Sequence, residues 1–371
     1  MKEINIAKAI ITKRKEKGIT QDELAAYIGV SKASVSKWET AQSYPDITFL
    51  PQLASYFNIS IDELIGYSPQ MTKEDIQKLY HHLSSEFSSK PFDEVLAECL
   101  AVIKKYYSCF PLLLQMVVLL INHYPLAKEK ETQEKLLQEI IDLCVRIKLE
   151  GEDIWLSKQA NSIEAMCYMI SQKPQEVLEL LDGTMKPISG DEVILANAYQ
   201  MTGDMQKARK VLQISIYQHL LNIMGVYPSY LLLNVGEAEK FDSILNHILS
   251  ISEVFELDTL HPNASVQLYL AAAQGYVMQG NTEKALNMLG RYVDVCTSNF
   301  FPLTLHGDDF FDCVDEWFKD FDLGVYPPRD EKLVKESMIQ AIVMNPAFSS
   351  LSNHPKFKSI VEIMKQKLGG N

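Results

Sequence analysis

The sequence predicts an all-α protein in two unequal parts, a five-helix N-terminal unit over residues 1–68 and a long body of stacked helix pairs over residues 91–371, joined by a linker helix over residues 69–90. Three observations predict it. From residue 4 to residue 66, apolar side chains recur at helical spacing between Ser, Thr and Asp residues that suit helix N-termini. In the body, a pattern of small, aromatic and apolar residues returns at steps of 31, 33 and 44 residues. The 47% of hydrophobic residues is spread along all 371 positions, enough for a core in each of two or three domains.

Charge divides unevenly along the chain. Residues 1–68 hold eight Lys/Arg (Lys2, Lys8, Lys13, Arg14, Lys15, Lys17, Lys32, Lys37) and eight Asp/Glu, so the whole net charge of −13 belongs to the rest. Such a body repels polyanions, which confines any nucleic-acid contact to the N-terminal unit. The longest apolar run, Phe110 to Ile121, is interrupted by Gln115 and is too short to cross a bilayer. The N-terminal stretch carries acids and lacks a small-residue cleavage site, so a cytoplasmic location is expected. Six cysteines are scattered without a C-x-x-C pair, which predicts buried free thiols and no zinc or disulfide framework.

The N-terminal unit is legible helix by helix. Ile6, Ala7, Ile10 and Ile11 mark the first helix, closed by Lys13, Arg14, Lys15, Lys17 and then Gly18. Thr20 caps the second, with Glu23 as its reciprocal capping-box partner. Gly29 sits where the chain must reverse, a place for a residue without a side chain. Ser31 caps the third helix, whose Val35 and Trp38 turn inward while Lys32, Ala33, Ser36 and Lys37 turn out. Asp46 caps a fourth helix through Phe57, and Ser60 or Asp62 starts a fifth that ends near Gly66.

Gln21, Glu23-Leu24-Ala25, Gly29-Val30-Ser31, Val35-Ser36-Lys37-Trp38-Glu39 and Tyr44-Pro45-Asp46 closely resemble the phage repressor/Cro (Xre) helix-turn-helix family, over residues 4–66. The resemblance implies that the third helix enters the major groove and presents Ser31, Lys32, Ala33, Ser36 and Lys37 to operator DNA. Lysines can donate to guanine O6 and N7, and the Ala33 methyl can meet a thymine methyl. Gln21 matches the family position that clasps a phosphate at a helix N-terminus, and Gln42 and Ser43 are further phosphate contacts. This reading face departs from the strongest readers because it holds no Arg, Asn or Gln, which makes binding as a dimer to a two-fold operator important.

Ser68, Pro69 and Gln70 mark the boundary, and Thr72 caps the linker helix, with Leu79, Leu83 and Phe87 on one side for docking or pairing of chains. In the body, Ala165-x-x-Tyr168 with Val177 and Leu181, Ala196-x-x-Tyr199 with Gly203, Ala208 and Leu212, and Ala273-x-x-Tyr276 with Gly280, Ala285 and Leu289 align with one another. Leu232, Gly236, Phe241 and Leu245 form a weaker copy, and pairs at 91–123 and 131–149 extend the stack. The pattern resembles tetratricopeptide repeats, which implies a right-handed helical solenoid whose first helices line a concave groove. With each Tyr buried, Asn197, Gln200, Tyr230, Asn234 and Gln274, together with Met166, Met169 and Val277, face that groove; the amides suit the backbone of a short peptide.

Asp308-Asp309-x-x-Asp312 matches the spacing of magnesium-binding diads, but the same residues suit the N-terminus of a helix running to about Phe321. His81, His82, His123, His247 and His261 lack partners at ligand spacing, and no phosphate loop, G-x-S-x-G or H-E-x-x-H occurs. No cofactor, metal or catalysis is therefore expected. The combination resembles the peptide-responsive regulators of Gram-positive bacteria, implying a homodimeric transcriptional regulator with a peptide effector. Two alternatives are a protein-protein scaffold localised by its DNA module, and a DNA-tethered enzyme using Asp308 and Asp312.

Overall fold

A computed structural model describes residues 6–67, 70–183, 190–298 and 300–369. Residues 4 and 5 of the expected first helix and the boundary residues Ser68 and Pro69 lie outside them. Among the described residues there are helices and turns and no strand.

The N-terminal unit holds α1 (Ile6–Glu16), α2 (Gln21–Ile28), α3 (Lys32–Glu39), α4 (Leu50–Phe57) and α5 (Ile61–Ile65). Its caps follow the side-chain chemistry. Thr20 and Glu23 form the reciprocal box, Ser31 Oγ accepts from Ser34 N–H, and Ser60 Oγ accepts from Glu63 N–H. Gly29 closes α2 at φ 82°, a conformation that a β-carbon would strain. Asp46 caps a short 3-10 turn, Ile47–Phe49, which leads into α4. One core of Ile6, Ile10, Leu24, Val35, Trp38, Leu53, Phe57 and Leu64 serves all five helices. This small core is separate from those of the body, so the unit has its own hydrophobic basis for folding.

The body has two cores. The first joins α6 (Lys73–Glu86), α7 (Phe92–Lys105), α8 (Phe110–His123), α9 (Lys130–Glu150) and α10 (Ile154–Ile170). The helix expected as a linker, α6, buries Ile76, Tyr80, Leu83 and Phe87 here, so its apolar stripe is spent within the chain. The apolar run Phe110–Ile121 lies in α8, and eight of its twelve residues are buried. No helix among the described residues is long and apolar enough to cross a membrane.

The second core joins α13 (Met205–Leu233), α14 (Ala238–Val254), α15 (Leu257–Leu260), α16 (Pro262–Met278), α17 (Thr282–Thr297), α18 (Asp315–Lys319), α19 (Glu331–Val343) and α20 (Pro355–Leu368). The final helix buries Phe357, Ile360 and Met364 and packs on α17, closing that end of the stack. Between the cores, α11 (Pro174–Leu181) buries no residue fully and α12 (Asp191–Met201) buries only Ala196.

The repeat pattern holds where packing is deep. Ala273, Tyr276, Ala285 and Leu289 are buried, as are Phe241 and Leu245. Gln172, Gly203 and Gly280 share the left-handed turn that starts each loop. Tyr168, at the edge of the first core, and Tyr199 are only half-buried, and Leu212 is exposed. A single 29-residue helix, α13, also runs through Gly225 and Pro228, where the repeat spacing suggests two helices.

The segment after α17 is a strap across both cores. Phe311 and Phe318 pack edge-on against Tyr217 of α13, while Leu323, and beyond the strap Leu333 of α19, pack into the first core. Four hydrogen-bonding contacts tie it to α6: Lys73 Nζ to Asp320 O, His81 Nε2 to Leu323 O (3.1 Å), Tyr80 Oη to Pro328 O (2.9 Å) and Ser84 Oγ to Pro328 O (3.1 Å). The expected helix from 308 to 321 is not formed. Asp308 Oδ1 instead accepts from Phe310 and Phe311 N–H in a turn, and α18 spans only five residues.

His123 lies in the first core, stacked on Phe87 at 4.4 Å with Nδ1 2.7 Å from Leu119 O. Burial pushes its pKa down to about 4 from 6.5. Between those values the unfolded chain binds the extra proton, so stability falls as pH drops. Urea unfolding is expected to show about 2 kcal/mol less stability at pH 5 than at pH 7 from this residue, a difference that His123→Phe should remove.

Candidate nucleic-acid interface and ligand cavity

The N-terminal unit aims α3 outward from a fixed base. Glu39, at the end of α3, is 9% exposed. Its Oε1 accepts from Arg14 Nε at 2.5 Å, and its Oε2 accepts from Arg14 Nη2 at 3.1 Å and from Gln21 Nε2 at 2.8 Å. Arg14 Nη1 also donates to Ile19 O at 2.8 Å. One carboxylate thus joins α1, the start of α2 and the end of α3. Burial alone would raise the Glu39 carboxyl, but the hydrogen bonds from Arg14 and Gln21 outweigh it and hold the group below the usual range. The sequence reading gave Glu39 no role, although an acid one residue after the core Trp38 was its signal.

The outward face carries Lys32, Ala33 and Lys37 exposed and Ser36 half-buried, as the helical spacing requires. Lys32 Nζ pairs with Asp22 at 2.6 Å, both side chains largely in solvent. Lys37 Nζ has no partner among the described residues. Ser31 spends its hydroxyl on capping α3. Gln21 is half-buried at the N-terminus of α2; its amide has two N–H donors, and Glu39 takes one. Gln42 is exposed and Ser43 half-buried just beyond α3, with both backbone N–H groups donating to Lys37 O.

The residues expected in the groove behave differently from one another. Asn197 and Gln200 are exposed on α12, Gln274 is half-buried on α16, and Tyr230 is exposed on α13. Asn234 is buried, and its Nδ2 donates to Tyr230 O at 2.7 Å, closing the end of α13. That bond uses its amide nitrogen within its own helix. None of the five lines the cavity under the strap.

That cavity, of about 580 Å³, lies where the strap crosses α8, α10 and α13. Gln115, Gln159 and Gln218 supply amides, Trp155, Trp317 and Tyr326 supply aromatic walls, and Asp320 and Asp322 supply acid. Gln115 Nε2 donates to Asp322 Oδ2 at 3.0 Å, so the polar break in the apolar run of α8 meets the strap. That break was the readable signal; its partner, 207 positions away, was not.

The acidic diad does not converge. Asp308 caps a turn, whereas Asp312 Oδ1 accepts from Gln213 Nε2 at 2.7 Å. His82 does have neighbours, contrary to its sequence spacing. It lies with Glu86 and Glu98 so that one ligand atom of each falls within 4.8 Å of the others. Lys90 Nζ, 2.5 Å from Glu86 Oε1, already supplies a cation there.

Comparison with known proteins follows this geometry. Residues 10–64 match the helix-turn-helix family model. The N-terminal unit is a helix-turn-helix domain. The HTH-type transcriptional activator BcrR of Enterococcus faecalis is 30% identical over 76 residues, which are 19% of this chain and 37% of that protein. The chain thus spans little more than a third of that relative's length. Two solved structures are similar at low identity and low TM-score. One is Bacillus thuringiensis PlcR in complex with the peptide PapR7 and DNA, 17% identical with a TM-score of 0.26 over 79% of this chain and 95% of that one. The other is apo ComR from S. thermophilus, 13% identical with a TM-score of 0.24 over 79% and 93%.

Breaking the clamp of the helix-turn-helix domain has a measurable cost. Glu39→Gln leaves the Arg14 guanidinium half-buried without its counter-charge and should lower the domain's stability by about 2–3 kcal/mol. Thermal unfolding followed at Trp38 is the measurement, and an unchanged transition would show that the clamp contributes nothing.

Proposed function

We propose that the chain is a transcriptional regulator that reads double-stranded operator DNA with α3 and couples that reading to a ligand held under the strap. The observation that carries the DNA reading is the exposed face of Lys32, Ala33, Ser36 and Lys37 on a helix fixed at its far end by Glu39. Lys37 is free to donate, and Lys32 exchanges an exposed pair with Asp22, worth at most about 1 kcal/mol, for DNA. Gln21, fixed through one N–H, offers the other to a phosphate, with Gln42 and Ser43 beside it. Ser31 contributes by setting the start of α3.

The ligand reading rests on the cavity. Three amides can pair with both N–H and C=O groups of a peptide, indole and phenol rings offer apolar contact, and Asp320 and Asp322 favour a cationic group. A short peptide with an aromatic or aliphatic side chain and a basic end fits this chemistry better than it fits the exposed amides of Asn197 and Gln200. The strap supports coupling because it lines the cavity and is hydrogen-bonded to α6, the first helix after the DNA-reading domain. A ligand that favours one strap position over another by about 1–3 kcal/mol supplies useful control. A homodimer suits a lean reading face, since two half-sites multiply modest specificity.

Lys32→Ala with Lys37→Ala should abolish specific binding to duplexes selected from random sequence and reduce the salt slope by about 2. Retained affinity in a salt-titrated shift assay would remove α3 from the interface. For the cavity, titration of a basic short-peptide pool followed by tryptophan fluorescence should saturate, and Gln159→Ala with Gln218→Ala should weaken it at least about tenfold, one lost pairing of 1.4 kcal/mol. Weakening by Asn197→Ala with Gln200→Ala instead would place the ligand in the exposed groove.

A further inference from the structure

We infer that the outer face of α13 is the seam on which two copies of this chain pair. The inference deepens the regulator reading, which calls for a dimer, by naming its surface. Between Lys210 and Glu237 the sequence contains no Asp, Glu, Lys or Arg, in a chain where charged residues make up 22%. Nearly all of that stretch is α13.

The helix uses one side internally, burying Tyr217, Leu220, Met224 and Leu231 in the second core. Its other side carries Leu212, Ile216, His219, Ile223, Val226, Tyr230 and Leu233, which advance by alternating steps of four and three. That is the heptad spacing of a helix that packs lengthwise against another helix. All seven are exposed, Val226 at 65% and Leu233 at 83%. Pro228 lies off this stripe and is half-buried.

Area and charge both favour a second copy as the occupant. The exposed apolar surface of the stripe amounts to several hundred Å² per copy. That is the scale of the about 800 Å² per partner in a standard interface, and more than isolated surface side chains account for. The body carries the whole net charge of −13, so two copies repel over most of their surfaces. The α13 stripe is where like-charged copies can approach without that cost, flanked by the uncharged Ser215, Asn222 and Ser229. A two-fold contact sets the same patch against itself, which an uncharged stripe satisfies without needing complementary charges.

The test is sedimentation velocity on the full chain, with DNA binding measured in parallel. The wild type should sediment as a dimer of 42.1 kDa chains. Ile223→Glu and Val226→Glu should each raise the dimer dissociation constant at least 100-fold with helix content unchanged, whereas Leu178→Glu, an equal change on exposed α11, should not. Should the glutamate variants misfold, Ile223→Gln gives the same reading with a smaller shift. A monomeric wild type, or dimers that survive the seam substitutions at wild-type affinity, would overturn the inference. DNA binding by such a protein leaves the regulator reading intact, while a seam-dependent dimer that binds no duplex sinks that reading and keeps the seam.

Discussion

The contact on which the rest of the structure depends is the strap against α6. Tyr80 and Ser84 hydroxyls converge on one carbonyl, Pro328 O, while Lys73 and His81 hold Asp320 O and Leu323 O. These groups close a cavity wall onto the helix that follows the reading domain. A neutral hydrogen bond contributes only about 1 kcal/mol net, but leaving a buried partner unpaired costs more, so the set holds or releases together. The strap also unites two hydrophobic cores that the thin α11–α12 region joins weakly.

The reading domain follows the opposite logic. Its geometry is set locally, by a small core and by the Glu39 carboxylate that binds α1 and α2 to the end of α3. A fixed recognition helix with few strong readers presents a surface whose specificity grows with pairing. In the proposed reading the body supplies that pairing, and the domain's output depends on where the body's surfaces meet and on what its cavity holds.

Much of this was legible because it is local. The capping box of Thr20 and Glu23, the left-handed Gly29 and the inward Trp38 all follow from neighbours within a turn or two. The outward set of Lys32, Ala33, Ser36 and Lys37 follows from the 3.6-residue period once Val35 and Trp38 are known to be buried. The cavity was not legible, since Gln115 and Asp322 meet across 207 positions and the strap has no periodicity to read. Repeat spacing gives the burial of the body's residues only in part, for a related reason. It assumes equally deep packing everywhere, whereas Tyr168 and Tyr199 are only half-buried. Asn234 shows the cost of that assumption, because its amide closes its own helix end.

Native-state amide hydrogen exchange on the full chain tests the central claim most directly, comparing the wild type with the Tyr80→Phe/Ser84→Ala variant. If α6 holds the strap, protection should fall together along 73–86, along 317–326 and in the cavity wall at 110–121, while the core of the reading domain around Leu24 and Val35 stays protected. Loss confined to 73–86, with exchange along 317–326 unchanged, would contradict the account.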